Sequence, residues 1–109
     1  SNAVRSFHEV ISFDQRDNIR LLEDKSLLKK LARRYAKLRA PESVMACTVH
    51  TDSQLHLHFV FSGTKLDGTS ARISREAFKE VKLEMEQWQD QHLNLQHSSI
   101  DHNPSKKKY

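Results

Sequence analysis

The segment from Leu55 to Phe61, LHLHFVF, constrains the fold more than any other part of the sequence. A β-strand sends alternate side chains to opposite faces. One face of this segment therefore carries only large apolar residues, namely Leu55, Leu57, Phe59 and Phe61. His56 and His58 fall on the other face. The pattern predicts a strand that buries its apolar side and turns two imidazoles away from the core.

A second strand is predicted just upstream, from Val44 to His50. Directly paired residues of antiparallel strands point to the same face. A plain four-residue connection would pair His50 with Leu55 and send its ring to the core side. We therefore expect an odd number of residues, or a bulge, in the connection. His50 would then pair with an even-numbered position such as His56.

A third strand is predicted from Phe7 to Phe13, FHEVISF. Its alternation places Phe7, Glu9, Ile11 and Phe13 on one face and His8, Val10 and Ser12 on the other. His8 and Ser12 are therefore candidates for the histidine side of the sheet.

Two amphipathic helices are also predicted. The first contains SLLKKLARRYAKLR, with Ser26 as its N-cap, and ends before Pro41, which lacks a backbone N–H. Its apolar stripe consists of Leu27, Leu31, Tyr35 and Leu38. The second follows the N-cap Ser74, and its stripe consists of Phe78, Val81, Met85, Trp88 and His92.

The order strand, helix, strand, strand, helix predicts an α+β fold, with an antiparallel sheet and helices packed on one face. Residues 1–3, Ser-Asn-Ala, look like the remnant of an expression tag. We expect the domain to span residues 4–95. The polar and basic residues 96–109 are expected to leave it as a C-terminal tail.

Composition narrows the class of protein. Cys47 is the single cysteine, which excludes an internal disulfide and a thiolate zinc cluster. No apolar run reaches the roughly 20 residues that cross a bilayer, so we expect no membrane partner and a cytoplasmic location. The net charge of +4 and the pI near 9.4 point weakly to a polyanionic partner.

Three imidazoles on one face, from His50, His56 and His58, suit a metal site. They offer neutral nitrogen donors on stiff strands and leave coordination positions open for water or substrate. Asp52 could accept a hydrogen bond from one ring, or serve only as a turn residue. The competing interpretation is that a His-x-His pair on a strand is solvated surface.

Three segments resemble a known family. HTDSQLHLHFVF resembles the third motif of conjugative relaxases and mobilisation nucleases, members of the His-hydrophobe-His endonuclease superfamily. FHEVISF resembles the preceding motif, a strand that ends in Ser-Phe and whose serine contacts DNA. ARISREAFKEVKLEMEQW resembles the segment that follows the metal strand. The resemblance implies a relaxase-like palm over roughly residues 6–95.

The resemblance implies a site. His50, His56 and His58 would bind one divalent cation, Asp52 would orient a ligand, and Ser12 would lie near the DNA backbone. Manganese or magnesium is the expected cation, with zinc or nickel as alternatives. The implied partner is single-stranded DNA at an origin of transfer, together with accessory mobilisation proteins. The implied activity is metal-dependent nicking during plasmid or mobile-element transfer.

Further DNA contacts are expected from Lys65, Arg72 and Arg75, which follow the histidine strand in the sequence, and from His8, which shares a face with Ser12. The lysines from 106 to 108 could add affinity that does not depend on DNA sequence. The alternative is that these cations are solvated surface.

The chain departs from the family pattern at two points. Ser62 lies where members usually carry an asparagine, and the family's nucleophilic tyrosine belongs to a segment upstream of FHEVISF. The two tyrosines here are Tyr35, expected in the core, and Tyr109, in the tail. The alternatives are therefore a catalytically silent DNA-binding module of the same fold, or a small three-histidine metal domain unrelated to DNA.

Overall fold

A computed structural model describes residues 4–51, 54–95 and 98–105 of the chain. The elements in chain order are β1 (Ser6–Phe13), α1 (Gln15–Glu23), α2 (Lys25–Arg39), β2 (Met45–His50), β3 (His56–Ser62), α3 (Arg75–Trp88) and β4 (Ser98–Ser105). A short π-helical segment, Gln89–Leu93, continues α3. None of the helices in these ranges has the length and hydrophobicity of a membrane-spanning segment.

The four strands form one sheet in the order β2-β3-β1-β4, and each neighbouring pair is antiparallel. Helices separate β1 from β2 and β3 from β4, which is the split βαβ arrangement of ferredoxin-like folds. The predicted α+β class is confirmed. The sheet exists because β1 and β3 each bury one face completely and must pair to satisfy their backbone groups.

The core lies between one face of the sheet and the helices. Its sheet side consists of Phe7, Ile11 and Phe13 from β1 and Leu57, Phe59 and Phe61 from β3, all at most 1% exposed. The helices contribute Leu21, Leu31, Tyr35 and Met85, which are fully buried. The period-two prediction for β1 and β3 is therefore confirmed, and their other faces are left half-buried.

A charged pair lies inside this core. The Glu9 carboxylate accepts hydrogen bonds from Arg39 Nε at 2.9 and 3.1 Å, and both side chains are fully enclosed. The Tyr35 hydroxyl also donates to Glu9. Arg39 donates in addition to the Ala71 carbonyl at 2.9 Å and lies 5.1 Å from the Phe7 ring centroid. These bonds explain how Glu9 occupies a core position on β1.

The helix starts differ from the prediction in one case. The side chain of Asp24, rather than that of Ser26, caps α2 and accepts from the Ser26 amide. Serine and aspartate both suit an N-cap. A separate helix, α1, ends at Glu23, so Asp24 is the residue between the two helices and takes the N-cap position of α2. Ser74 caps α3 through the Ala77 amide, as predicted.

The expected departure of the chain after Leu95 is wrong for β4. Residues 98–105 pair with β1 along its whole length, from Ser6↔Ser105 to Phe13↔Ser98. The segment is polar, but Ile100 pairs with Ile11 and is 2% exposed. Pairing with the otherwise unsatisfied edge of β1 supplies the ordering that the composition does not predict.

Candidate metal centre

The end of the sheet that holds the histidines is fixed by strand register. His50 pairs with His56, and His56 pairs on its other side with Ser12 of β1. Five residues separate His50 from His56, so the predicted odd-numbered connection is confirmed. Because paired residues point to one face, His50, His56 and Ser12 form a row across three strands.

The next row carries His58, which pairs with Thr48 and Val10. The ring centroids of His50 and His56 are 4.7 Å apart, and those of His50 and His58 are 5.5 Å apart. The three imidazoles therefore lie together on the face turned away from the core. This is the arrangement that sequence alternation predicted.

His8 extends the cluster. Its Nδ1 atom lies 3.2 Å from His58 Nε2, and the two ring centroids are 5.3 Å apart. The pKa of His58 is lowered, first by burial and then by the positive charge that His8, His50 and His56 would carry when protonated. A lowered pKa keeps the imidazole neutral, which is the form that binds a metal.

Two further contacts orient the rings. His56 Nδ1 lies 2.8 Å from the Gln54 carbonyl oxygen. Since a carbonyl only accepts, Nδ1 must carry the proton and Nε2 presents its lone pair. The Nε2 atom of His50 lies 3.0 Å from the Thr48 hydroxyl, which can donate or accept. A backbone oxygen behind a ring is the usual support of a metal-binding histidine.

The three imidazoles are of a residue type that binds divalent cations, and the ring of His56 has a backbone oxygen behind it. In the rotamers present, no group of three or more His, Cys, Asp or Glu side chains within the described ranges is arranged to hold an ion. In these rotamers His58 Nε2 lies within hydrogen-bond distance of His8, and His50 Nε2 within hydrogen-bond distance of Thr48. To bind a metal ion through these nitrogens, His58 and His50 would have to give up their contacts with His8 and Thr48.

The other predicted residues divide into two groups. Ser12 and His8 lie on the histidine face, at the positions described above. Asp52 falls outside the described residues. Lys65, Arg72 and Arg75 are not beside the rings, because they follow the far end of β3.

Their surroundings also differ from those of the histidines. Arg72 lies over Phe7, with its guanidinium carbon 6.0 Å from the ring centroid, and Phe7 belongs to the core face. Lys65 lies in a turn in which its amide donates to the Thr69 carbonyl. Arg75 is the first residue of α3 and is exposed. A role for these three in DNA binding stays a prediction.

Sequence reasoning missed the supporting residues. Thr48 could have been found, because it shares the period-two face of β2 with His50. Gln54 acts through its carbonyl, while its side chain donates to the Phe13 carbonyl at 2.8 Å. A backbone acceptor leaves no signal in residue type.

Tyr35 lies in the core, as predicted. It is fully buried, and its ring centroid is 4.9 Å from that of Phe59. Burial and the adjacent Glu9 carboxylate raise the pKa of its hydroxyl far above the ordinary value. Tyr109 falls outside the described residues.

Two solved structures are similar to this chain over most of its length. The crystal structure of the hypothetical protein ORF119 from Sulfolobus islandicus rod-shaped virus 1 gives a TM-score of 0.46 at 14% identity, over 94% of this chain and 68% of the viral chain. The designed protein LFR1 1, with a ferredoxin fold, gives 0.40 at 14% identity, over 93% and 83%. No protein with a curated description matches the sequence.

The sequence also matches a model of a protein family. The model for relaxases, described as a MobA/VirD2-like nuclease domain, matches residues 1–102. The match includes β1, both strands of the histidine site and α3, which are the segments whose motifs resemble that family. We conclude that the chain belongs to the relaxase family and carries a nuclease domain of the MobA/VirD2-like type.

Proposed function

We propose that this relaxase domain nicks single-stranded DNA at an origin of transfer, using one divalent cation bound by His50, His56 and His58. The observation that carries the proposal is the grouping of these three rings on one face, with His50 and His56 directly paired. Manganese or magnesium is the proposed cation, and accessory mobilisation proteins are the proposed further partners.

The protein's part in this chemistry is to present neutral nitrogens at a fixed place. The Gln54 carbonyl holds the proton of His56 on Nδ1 and so directs Nε2 outward. The lowered pKa of His58 maintains its neutral form as the pH falls. A bound divalent cation would supply Lewis-acid polarisation of a phosphodiester oxygen and stabilise the charge that develops during cleavage.

Two further residues have proposed roles around the rings. Ser12 lies next to His56 in the same row, where its hydroxyl could donate to a phosphate oxygen of a strand that crosses the sheet face. Asp52, in the connection between the two histidine strands, is proposed to orient a ring. Tyr35 is enclosed in the core and bonded to Glu9, so it cannot reach a substrate as a nucleophile.

Metal binding is the first test. Isothermal titration with Mn²⁺ is expected to give one site in the original chain and to lose it in His56→Ala. His92→Ala is the matched control, because His92 stacks on Trp88 among the helices and lies outside the cluster. Equal Mn²⁺ affinity in all three proteins would show that His56 does not bind the metal and would contradict the proposed site.

Cleavage is the second test, and it uses a labelled single-stranded oligonucleotide that contains an origin of transfer, with Mn²⁺ or Mg²⁺. A chain extended at its N-terminus should be tested beside this one, because the family's nucleophile lies upstream of the first motif. Metal-dependent cleavage that His56→Ala abolishes would support the proposal. Metal and DNA binding without cleavage by either chain would favour the silent binding module. Metal binding with no affinity for DNA would favour the unrelated three-histidine domain.

A further inference from the structure

Strand β2 lies at the edge of the sheet, and its pairing is described on one side only, with β3. The Val44 carbonyl accepts from the Ser62 amide at 2.9 Å, so even-numbered residues direct their backbone groups toward β3. Met45, Cys47 and Val49 alternate with these and direct their N–H and C=O groups outward. An edge of this kind can accept another strand.

A groove runs between this edge and α2. It consists of two adjoining hollows, with volumes of about 450 and 510 Å³. Ala32, Cys47 and Val49 line the first hollow, and Ala36 and Met45 line the second. We call it the α2–β2 groove. Because the alanine side chains are small, α2 does not cover the neighbouring side chains of β2. Val49, for example, is 47% exposed.

One rim of the groove is basic. Lys25, Lys29, Arg33 and Lys37 recur every four residues along α2, line the two hollows and are all exposed. Residues four apart fall on one face of a helix, so their charges follow the groove and run beside β2. Such a row favours an occupant of negative charge.

We infer that the α2–β2 groove binds an extended acidic peptide segment of a partner protein, which adds a strand to the edge of β2. Its backbone would pair with Met45, Cys47 and Val49. The side chains on the helix side of the added strand would include apolar ones over the floor and carboxylates at the basic rim. The occupant is a peptide rather than single-stranded DNA, because none of the described residues that line the two hollows is aromatic and could stack on a base.

Charge also argues against the chain itself as the occupant. A second copy carries a net charge of +4, and residues 106–108 are all lysine, so both have the sign of the rim. This surface is separate from the histidine site, because the groove opens on the helix side of the sheet and the rings lie on the opposite side.

The test uses the isotope-labelled chain and backbone amide NMR. The probe is a short peptide in which threonine occupies every second position, while valine and glutamate take turns at the other positions, so that one face of the strand carries both. The peptide is expected to shift the amides of Met45, Cys47 and Val49. The double variant Lys29→Glu/Arg33→Glu should weaken binding by about tenfold or more, since it reverses two of the rim charges. Lys30→Glu/Lys79→Glu is the matched control, because both lysines are exposed and neither lines the groove.

A second variant separates strand addition from charge attraction alone. Val49→Pro removes one outward N–H and leaves the even-numbered contacts with β3 in place, so binding should be lost while circular dichroism stays unchanged. Three outcomes would overturn the inference. These are no shifts with the peptide, larger shifts of the same amides with an oligothymidine, or the same shifts appearing with protein concentration alone, which would indicate a second copy.

Discussion

The Nδ1 atom of His8 lies 3.2 Å from the Nε2 atom of His58, so a histidine outside the predicted ligand set occupies a nitrogen of one within it. Metal binding through that nitrogen must first break this hydrogen bond. We expect His8→Ala to bind Mn²⁺ about two- to tenfold more tightly, since a net hydrogen bond is worth about 0.5–1.5 kcal/mol. Isothermal titration at neutral pH measures the change.

Thr48→Val is the companion variant, because Thr48 engages the Nε2 atom of His50 in the same way. It should tighten Mn²⁺ binding by a similar or smaller factor, as Thr48 is exposed. Weaker binding in His8→Ala would instead make His8 a fourth ligand.

The lowered pKa of His58 predicts a pH dependence of stability. The unfolded chain takes up the proton at the ordinary histidine pKa of about 6.5, whereas folded His58 takes it up only at lower pH. The unfolded state therefore binds more protons in this window. Stability should fall as the pH drops below about 6.5 and stop falling from this cause below the lowered pKa.

Urea unfolding of the metal-free protein at several pH values measures this dependence. His58→Asn should reduce the loss of stability between neutral pH and about pH 5. His92→Asn should keep it. An unchanged pH profile in His58→Asn would show that His58 does not titrate differently in the two states.

Because Glu9 and Arg39 form a buried ion pair, we expect Glu9→Gln to destabilise the protein strongly. Glu9→Gln keeps the shape of the side chain but leaves the guanidinium enclosed without its counter-charge. We expect a loss of about 3–5 kcal/mol in the free energy of unfolding. Urea denaturation measures it. Glu84→Gln, on the exposed side of α3, should change stability by no more than about 0.5 kcal/mol.

Gly63 predicts a steric effect at the end of β3. A Cβ atom at this position would lie 2.2 Å from the Val4 carbonyl oxygen, and the Gly63 amide donates to the Arg5 carbonyl. The neighbouring backbone would have to move, so Gly63→Ala should cost about 1–3 kcal/mol. The thermal midpoint reports the loss.

Gly68→Asn is the matched control for that variant. Gly68 has φ of 88°, where any L side chain is strained, but a Cβ atom at this position would have no neighbour within 4 Å. Asparagine is the residue type that adopts positive φ most readily after glycine, so the midpoint should fall by less than in Gly63→Ala. A loss as large as that of Gly63→Ala would mean that glycine flexibility, rather than contact with Val4, sets the effect.

The histidine face could be predicted because its cause is local. Alternation along β1 and β3 sorts each residue by side, and the apolar side of Leu57, Phe59 and Phe61 decides which side is inward. Parity then restricts His50 to an even-numbered partner if its ring is to share that face, and the structure selects His56. These steps need no knowledge of distant contacts.

The features that were missed have distant causes. β4 is ordered by pairing with β1, and only Ile100 gives an apolar signal. Glu9 is stable in the core because Arg39, 30 residues away, meets it there. The bond between His8 and His58 depends on the rotamers of two rings from neighbouring strands. None of these relationships is visible in a short window of sequence.

β3 serves two purposes with alternate residues of one strand. Leu57, Phe59 and Phe61 anchor it to the interior, while His56 and His58 occupy the outward positions between them. A shift of the β3 register by one residue would expose three large apolar side chains. The spacing of the rings is therefore fixed by hydrophobic burial rather than by bonds among the imidazoles. Individual rings can therefore be exchanged without loosening the framework, which leaves the chemistry of this face free to diversify on an unchanged scaffold.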